Sequence, residues 1–254
     1  MSSEFASLEF LDLQFDIGDC DAFLNCIVRQ AGADEFAYVV TPNVDHMVQL
    51  HGKGDAAQSL WPAYRQAFLT ICDSRILTHL ARLSGLDLPA VPGSDLTARL
   101  LERQEVAGMH LHIVGGTQEL LSDLERQFPK VRWTQFEPPA NVLRNQAAQE
   151  AIVKSVVAER ADVTLFAFGA PQSEIVCHRI LTAGGARGIA LCIGASLEFV
   201  TGKKQRAPLI WQKLSLEWMF RLLTEPRRLW RRYLVVGPRI FRIWKRWHKT
   251  ATQG

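Results

Sequence analysis

The sequence predicts an α/β fold with a mostly parallel sheet and helices on both faces, followed by a basic amphipathic helical appendage. Two observations predict it. Short apolar runs alternate with segments of helical periodicity, and the last fifth of the chain changes sharply in charge. Of the 254 residues, 48% are hydrophobic and 22% are charged. This composition is typical of a globular protein, so disordered, collagen-like and disulfide-scaffold classes are excluded.

Seven short apolar runs are the predicted strands, and six segments between them carry apolar residues at helical spacing. The predicted strands are Leu8–Phe15, Phe36–Val40, Ala67–Cys72, Met109–Val114, Val131–Phe136, Val163–Phe168 and Arg187–Ile193. The predicted helices are Asp21–Gln30, Val44–Gly52, Asp95–Ala107, Gln118–Gln127, Asn141–Arg160 and Gln172–Ala183. Crossovers of this length indicate parallel βαβ units, so the expected sheet is Rossmann-like and binds ligands beyond the carboxyl ends of its strands.

Four predicted strands end in glycine, proline or small polar residues that are followed by a helix. These strand ends are Thr41-Pro42-Asn43, Asp73-Ser74-Arg75, Gly115-Gly116-Thr117 and the six residues from Gly169 to Glu174. Glycine lets a phosphate approach the backbone, and the first turn of the following helix offers unpaired N–H groups. The arrangement predicts a nucleotide pocket at this edge of the sheet.

Asp73 is the candidate catalytic residue. A carboxylate at the carboxyl end of a buried strand can act as a general base when it reaches a substrate hydroxyl. Two structural alternatives stay open, because the same carboxylate could cap the next helix or pair with Arg75.

The other strand-end motifs are less specific. Gly115-Gly116-Thr117 could bind a diphosphate, or it could form a turn in which Thr117 caps a helix. Thr41 and Asn43 could hydrogen-bond a sugar or a base, although a Thr-Pro-Asn turn needs no ligand.

No catalytic metal is expected. Asp19-Cys20-Asp21 matches the Asp-x-Asp pattern of metal-dependent sugar transferases, but it precedes a helix, and capping explains it better. The seven histidines and five cysteines show no metal-ligand spacing. The scattered cysteines favour reduced thiols and therefore a cytosolic environment.

The C-terminal segment 203–254 differs from residues 1–202 in charge and in aromatic content. It holds 14 of the 29 Lys and Arg residues and only two acidic residues, a net charge of +12. Residues 1–202 hold 15 basic and 24 acidic residues, a net charge of −9. Five of the seven tryptophans also lie in the C-terminal segment. We therefore predict a catalytic domain, 1–202, and a helical appendage, 203–254.

Helices of the appendage are expected to begin at Pro208 and Pro226, with a break at Gly237-Pro238. Apolar and aromatic residues share one face of these helices and cations the other, which is typical of helices that lie in a membrane interface. An anionic membrane surface is thus the favoured partner. Nucleic acid is disfavoured, because the aromatic residues segregate from the cations. The apolar face could instead pack on the body or on another subunit of a homo-oligomer.

The sequence does not predict a segment that crosses a membrane. The first ten residues carry two glutamates and no basic charge, unlike a secretory signal. No uninterrupted apolar run reaches the roughly 18 residues needed to cross a bilayer. The expected location is cytoplasmic, peripheral on the inner face of the plasma membrane.

The C-terminal part of the chain carries a specific signature. Residues 194–208 read Gly-Ala-Ser-Leu-Glu-Phe-Val-Thr-Gly-Lys-Lys-Gln-Arg-Ala-Pro, and residues 225–234 read Glu-Pro-Arg-Arg-Leu-Trp-Arg-Arg-Tyr-Leu. Leu216-Glu217-Trp218 lies between them, and Thr41-Pro42-Asn43, Asp73, residues 92–96 (Pro-Gly-Ser-Asp-Leu), Gly115-Gly116 and Gly169-Ala170-Pro171 precede them. Together these motifs strongly resemble the WecG/TagA/CpsF glycosyltransferases over nearly the whole chain.

The resemblance implies an inverting, metal-independent glycosyltransferase of bacterial cell-surface or exopolysaccharide biosynthesis. It would move a sugar from a UDP-sugar to a saccharide on a polyprenyl diphosphate at the cytoplasmic membrane face, with no cofactor. Asp73 would be the base, and the appendage would reach the membrane and help to complete the site. The expected substrate-binding residues are Thr41, Asn43, Gly93, Ser94, Asp95, Gly115, Gly116, Thr117, Gly169, Pro171, Gln172, Glu174 and Gly194. The expected phosphate- or membrane-binding residues are Arg227, Arg228, Arg231 and Arg232.

Two positions depart from the family pattern. Ser173 stands where the family commonly has glutamine, and Leu88-Pro89-Ala90-Val91 stands where the family often has an arginine. These departures keep a second function open, that of a non-catalytic membrane-bound adaptor with the same fold in polysaccharide assembly.

Overall fold

The computed structural model of the chain describes residues 4–205, 207, 208, 211 and 216–251. The strands are β1 (Ala6–Phe10), β2 (Leu13–Ile17), β3 (Ala37–Val40), β4 (Leu69–Thr70), β5 (His110–Gly115), β6 (Arg132–Phe136), β7 (Val163–Ala167) and β8 (Ile189–Cys192). The helices are α1 (Cys20–Ala31), α2 (Val44–Leu50), α3 (Asp55–Gln58), α4 (Trp61–Arg65), α5 (Arg75–Leu83), α6 (Gly93–Glu102), α7 (Gln118–Gln127), α8 (Gln146–Glu159), α9 (Gln172–Ala183), α10 (Ser196–Val200), α11 (Glu217–Thr224), α12 (Pro226–Trp230) and α13 (Arg239–Ala251). A π-helical segment, Arg231–Val236, joins α12 to α13.

The main sheet has six parallel strands in the order β4-β3-β8-β7-β5-β6. Helices flank it, which confirms the predicted fold class. The chain runs from β3 to β4 at one edge of the sheet. It then crosses to the half of the sheet at the opposite edge, where it forms β5 and β6, and it returns toward β3 through β7 and β8. The connections that leave the neighbouring strands β7 and β5 run in opposite directions, from β7 to β8 and from β5 to β6. A ligand crevice typically opens at such a reversal, beyond the carboxyl ends of the strands.

Buried side chains alternate between the two faces of the sheet. In β3, Tyr38 and Val40 belong to one hydrophobic cluster, whereas Ala37 and Val39 belong to the other. The first cluster includes side chains of α9, and the second includes side chains of α1 and α6. Because the strands are buried on both faces, they read in the sequence as short continuous apolar runs.

The prediction of a single strand at Leu8–Phe15 is wrong, because this region forms a β-hairpin outside the main sheet. β1 and β2 pair antiparallel around a two-residue turn, in which Leu11 and Asp12 have positive φ angles of 52° and 61°. Such turns usually contain Asn or Gly, so the sequence lacks a turn signal at this point. Phe10 and Leu13 flank the turn and are both buried, so the apolar pattern continues across it.

Three helical predictions also need correction. Helix α5 is absent from the predicted helices, although its apolar residues have helical spacing. The predicted helices Asp95–Ala107 and Asn141–Arg160 each divide into an α-helix and a 3-10 turn, at Gln104–Val106 and Val142–Arg144. The helix expected to begin at Pro208 lies mostly outside the described residues.

The last helix, α13, packs its apolar face on the body. Ile240 and Ile243 belong to the same hydrophobic cluster as α9. Trp244 donates a hydrogen bond from Nε1 to the C-terminal cap of α5 (2.9 Å), and Trp247 contacts the ring of Phe10 edge-on (centroids 5.2 Å apart). The apolar face of this helix therefore packs on the body, which was one of the two alternatives to a membrane contact. The predicted domain boundary at residue 202 stays a prediction. Its exposed cations are Arg239, Arg242, Lys245, Arg246 and Lys249.

Within the described part of the chain, none of the helices has both the length and the apolar content that a bilayer span requires.

Candidate functional site

A cleft of about 840 Å³ opens beyond the carboxyl ends of β3, β4, β5, β7 and β8. One wall is formed by these strand ends and the opposite wall by α11, α12, the π-helical segment and the start of α13. The appendage therefore contributes side chains to the cleft. The predicted site residues that line it are Thr41, Asn43, Asp73, Ser94, Gly116, Gly169, Glu174, Gly194, Arg228 and Arg232.

Asp73 lies three residues beyond β4 and lines the cleft. Its backbone N–H donates to the carbonyl of Pro42 (3.0 Å), which ties the end of β4 to the end of β3. Its carboxylate accepts hydrogen bonds from the backbone N–H of Gly93 and from the side chain of Asn43. The carboxylate is thus held from two sides.

Burial raises the pKa of Asp73 from its ordinary value of 3.8 to about 7. The positive charge of Arg221 and the two hydrogen bonds oppose this rise, whereas the negative charge of Glu217 adds to it. A base with a pKa near the working pH combines a useful fraction of the ionised form with a strong tendency to take a proton. The site therefore suits proton abstraction at neutral pH.

The residues around Asp73 are placed by helix capping and close packing. The Oδ1 atom of Asn43 caps α2 by accepting from the N–H of Asp45 (3.0 Å), which leaves its amide group to donate to Asp73. Gly93 starts α6 against Thr41, where a Cβ atom would lie only 3.0 Å from the Oγ1 atom of Thr41. Any larger residue at position 93 would thus displace Thr41, so the glycine is required by close packing rather than by ligand contact.

The capping alternative for Asp73 is wrong. Helix α5 is capped by Ser74, whose Oγ accepts from the N–H of Leu77 (3.3 Å). Because Ser74 fills the capping role, the carboxylate of Asp73 is free to face the cleft.

The glycine pair at the end of β5 divides between the sheet and the cleft, since Gly115 is the last residue of the strand and Gly116 follows it. Both glycines have positive φ angles, 93° at Gly115 and 75° at Gly116, and only Gly116 lines the cleft. A Cβ atom at Gly116 would lie 2.9 Å from Leu120. Thr117 caps α7 by accepting from the N–H of Leu120 (3.3 Å), so the capping alternative is correct for this residue.

Glu174 is the second carboxyl group with a raised pKa in the cleft. It is 1% exposed, and the hydroxyl of Ser173 donates to its Oε2 atom (3.0 Å). Burial raises the pKa of Glu174 to about 7, against the opposing effect of hydrogen bonds from its own backbone and from Ser173. Ser173 therefore holds the carboxyl group of Glu174, which lines the cleft.

Several predicted site residues do not line the main cleft. Asp95 lines a small adjoining cavity of about 20 Å³ that it shares with Arg221. Asp19 caps α1 by accepting from the N–H of Ala22 (2.8 Å), as expected for this motif. The remaining predicted site residues outside the lining are Gly93, Gly115, Thr117, Pro171, Gln172, Arg227 and Arg231.

Arginines of the appendage face the strand ends across the cleft. The Nε atom of Arg232 lies 3.4 Å from Oδ2 of Asp45 on α2, and Nε of Arg228 donates to Oε2 of Glu225 (2.5 Å). Arg221, which the sequence analysis overlooked, also lines the cleft and lies over the ring of Phe199, 5.1 Å from its centroid.

The spacing of the cleft arginines is a signal that the sequence does contain. Arg228 and Arg232 are four residues apart, which is the spacing of one helical face, whereas Arg221 belongs to the preceding helix α11. Arg227 and Arg231 fall outside this face and outside the cleft. Helical spacing therefore separates the arginines that meet the cleft from those that do not.

No group of three or more His, Cys, Asp and Glu side chains is placed to hold a metal ion within the described ranges. The cleft combines the partly buried carboxyl group of Asp73, whose pKa is raised, with guanidinium groups on the facing wall. Guanidinium groups bind phosphate bidentately and keep their charge at any physiological pH. Chemically, such a cleft can deprotonate a hydroxyl group and stabilise a phosphate that leaves.

Comparison with known protein families gives one match. The model of the glycosyl transferase WecG/TagA/CpsF family matches residues 8–253, almost the entire chain. The chain therefore belongs to this family of glycosyltransferases, and its substrates in general are a sugar donor and an acceptor.

Proposed function

We propose, from this family membership and the geometry of the cleft, that the protein is an inverting, metal-independent glycosyltransferase. It transfers a sugar from a UDP-sugar to a saccharide carried on a polyprenyl diphosphate. It acts at the cytoplasmic face of the membrane, in the synthesis of a cell-surface or secreted polysaccharide. The observation that carries the proposal is Asp73, a carboxyl group with a pKa of about 7 in a cleft walled by arginines.

The proposed reaction is a single displacement at the anomeric carbon. The acceptor hydroxyl oxygen bonds to this carbon while the bond from the carbon to the diphosphate oxygen of UDP breaks. Asp73 takes the proton of the hydroxyl, and the electron pair of the broken bond leaves on UDP. Because the nucleophile attacks opposite the leaving group, the configuration of the anomeric carbon is inverted.

Positive charge from the appendage stabilises the departing UDP in this proposal. Arg221, Arg228 and Arg232 line the cleft on the wall that faces Asp73. Preorganised cations act where negative charge develops, without having to reorganise during the reaction. Gly116 contributes backbone to the lining of the same cleft.

Product formation tests the proposed function directly. The full-length protein would be incubated with a series of UDP-hexoses and UDP-N-acetylhexosamines and with short-chain polyprenyl diphosphate saccharides. We expect one donor to give a product of inverted anomeric configuration, with a rate that does not change when EDTA is added. Absence of product with every donor, combined with normal membrane binding, would instead support the adaptor function.

The proposed membrane contact uses apolar residues other than the tryptophans of α13. Large apolar side chains that are exposed in residues 223–241 stand near the basic residues of the appendage. Exposed apolar groups beside cations are typical of a surface that binds an anionic interface. These apolar side chains are Leu223, Trp230, Leu234, Val235 and Phe241.

Replacing two of these apolar residues by glutamate is expected to weaken membrane binding strongly. In the double variant Leu223→Glu and Val235→Glu, two exposed apolar side chains (67% and 45% exposed) become acidic and are repelled by anionic lipid. Sedimentation with vesicles containing phosphatidylglycerol measures the effect. The matched control is Leu83→Glu with Leu143→Glu, in which the original side chains are 68% and 45% exposed on the body. Equal loss in both double variants would contradict the proposed surface.

A further inference from the structure

His46 is a cleft residue to which neither the sequence nor the proposed reaction assigns a role. It lies in the first turn of α2, three residues after Asn43, which donates to Asp73. The imidazole is 8% exposed and lines the cleft. Its ring contacts the ring of Tyr64 edge-on, with centroids 6.0 Å apart. The side chain is therefore held firmly at the edge of the proposed active site.

Two buried polar atoms of the cleft lack hydrogen-bond partners, and the residues that carry them are close enough for the charge of Arg232 to act on His46. They are Nδ1 of His46 and Nε of Arg232, neither of which has a hydrogen bond within the described residues. Asp45 lies 3.4 Å from Nε of Arg232 as an ion pair, but without hydrogen-bond geometry. Buried polar groups in folded proteins are nearly always paired, so two unpaired groups in one cleft point to a missing partner.

The imidazole is neutral at physiological pH. Burial, together with the neighbouring positive charge of Arg232, lowers the pKa of His46 from 6.5 to about 3. A neutral imidazole has one N–H donor and one acceptor nitrogen. Together with the guanidinium of Arg232 it offers donors to an anionic oxygen, without a second positive charge at the same place.

We propose that His46 binds substrate, donating from its imidazole to an oxygen of a diphosphate group that Arg232 also binds. This inference rests on the proposed function, in which both substrates contain a diphosphate. The side chain of Arg232 is 37% exposed and forms an ion pair with Asp45 of α2, which keeps the guanidinium at the cleft edge of α2. His46 and Arg232 thus form a diphosphate-binding corner that joins α2 to the appendage.

Three substitutions at position 46 separate a binding role from a structural one. His46→Phe keeps an aromatic ring against Tyr64 and removes both nitrogens. His46→Asn and His46→Gln restore a polar group near the positions of Nδ1 and Nε2, respectively. Calorimetry of the full-length protein with inorganic pyrophosphate and with UDP measures binding, steady-state kinetics measures the KM for each substrate, and thermal unfolding reports the stability of each variant.

We expect His46→Phe to weaken pyrophosphate binding by about tenfold or more, the effect of losing one hydrogen bond to a charged group. UDP binding weakens by a similar factor when the diphosphate is that of the donor and stays unchanged when it is that of the acceptor. One of the amide variants should recover part of the affinity, and all three should unfold near the wild-type temperature. A raised KM for the UDP-sugar alone would assign the corner to the donor. A raised KM for the polyprenyl diphosphate saccharide alone would assign it to the acceptor.

Several outcomes would overturn the inference. Wild-type affinity for pyrophosphate and both substrates in His46→Phe would exclude a binding role. Loss of binding in all three variants together with a large drop in unfolding temperature would make the role structural. The proposed function can fail separately. If the wild type binds pyrophosphate through His46 but transfers no sugar, the diphosphate-binding role of His46 is supported and the transferase function is contradicted. A wild type that binds neither pyrophosphate nor UDP overturns both.

Discussion

Asp73→Asn is expected to lower the rate of sugar transfer by about 10³-fold or more while UDP still binds with near wild-type affinity. The amide keeps the shape of the side chain, and its oxygen can still accept from the N–H of Gly93. It cannot take a proton from the acceptor hydroxyl, and general bases typically contribute between about 10² and 10⁴ in rate. Single-turnover transfer and calorimetry with UDP measure the two properties.

The pH dependence of the same enzyme gives a second signature. Only the ionised form of Asp73 can act as a base, and its pKa is about 7. The rate of the wild type should therefore fall as pH drops through 7, and the residual rate of Asp73→Asn should lack this dependence. A wild-type rate that stays constant from pH 8 to pH 5 would contradict the assignment.

Stability should change in the opposite direction to activity. The pKa of Asp73 in the folded protein lies above its ordinary value of 3.8, so ionising this carboxyl group lowers the free energy of unfolding. The loss of stability is complete above pH 7 and becomes smaller as pH falls toward 3.8. The Asn variant avoids this loss, which is up to about 4 kcal/mol. We expect Asp73→Asn to unfold at a higher temperature than wild type at pH 8, with a smaller difference at pH 5. Asp87→Asn, at an exposed position of the loop between α5 and α6, is the matched control and should change neither property.

The second large effect is expected from the arginines that line the cleft. The double variant Arg228→Gln with Arg232→Gln should lower kcat/KM for the UDP-sugar by about 100-fold or more, because each hydrogen bond from a charged group to phosphate contributes about 1.5–3 kcal/mol. Steady-state kinetics with a short-chain acceptor in detergent measures this loss without requiring membrane binding.

A matched control comes from the same stretch of chain. Arg227→Gln with Arg231→Gln removes the same charge from residues that lie outside the cleft lining. This variant should keep most of its transfer to the short-chain acceptor, while its binding to anionic vesicles weakens, since each cation near the surface contributes about 1 kcal/mol. If the two double variants lost transfer activity equally, net charge rather than position would account for the effect.

Apart from the edge strand β6, the strands of the main sheet were predictable because each is buried on both faces and reads as an apolar run between polar segments. Thr41, Asp73 and Gly116 follow the ends of these runs within two residues, so the sequence alone identifies three residues that line the cleft. The hairpin β1–β2 was not predictable, since its turn at Leu11 and Asp12 lacks Asn or Gly. Its conformation is stabilised by burial of the flanking residues and not by local preference.

The appendage shows the same division between pattern and packing. Its basic and amphipathic character follows from the sequence. An apolar helix face can, however, be covered either by the body of the protein or by a membrane. Ile240 and Trp244 pack on the body, whereas Leu223 and Trp230 remain exposed. An amphipathic pattern specifies which face is apolar, and only the fold decides what covers that face.

By itself, the sequence determined the parallel α/β architecture, the basic appendage and the carboxyl group at the end of β4, because hydrophobic periodicity and local composition are properties of neighbouring residues. The tertiary structure decided which groups meet in the cleft. Arg221, Arg232 and His46 come from segments up to about 190 residues apart in the chain, and no local pattern relates them. The pKa of Asp73 was likewise decided by the fold, because it depends on burial and on charges from α11 that approach it only after the appendage has packed.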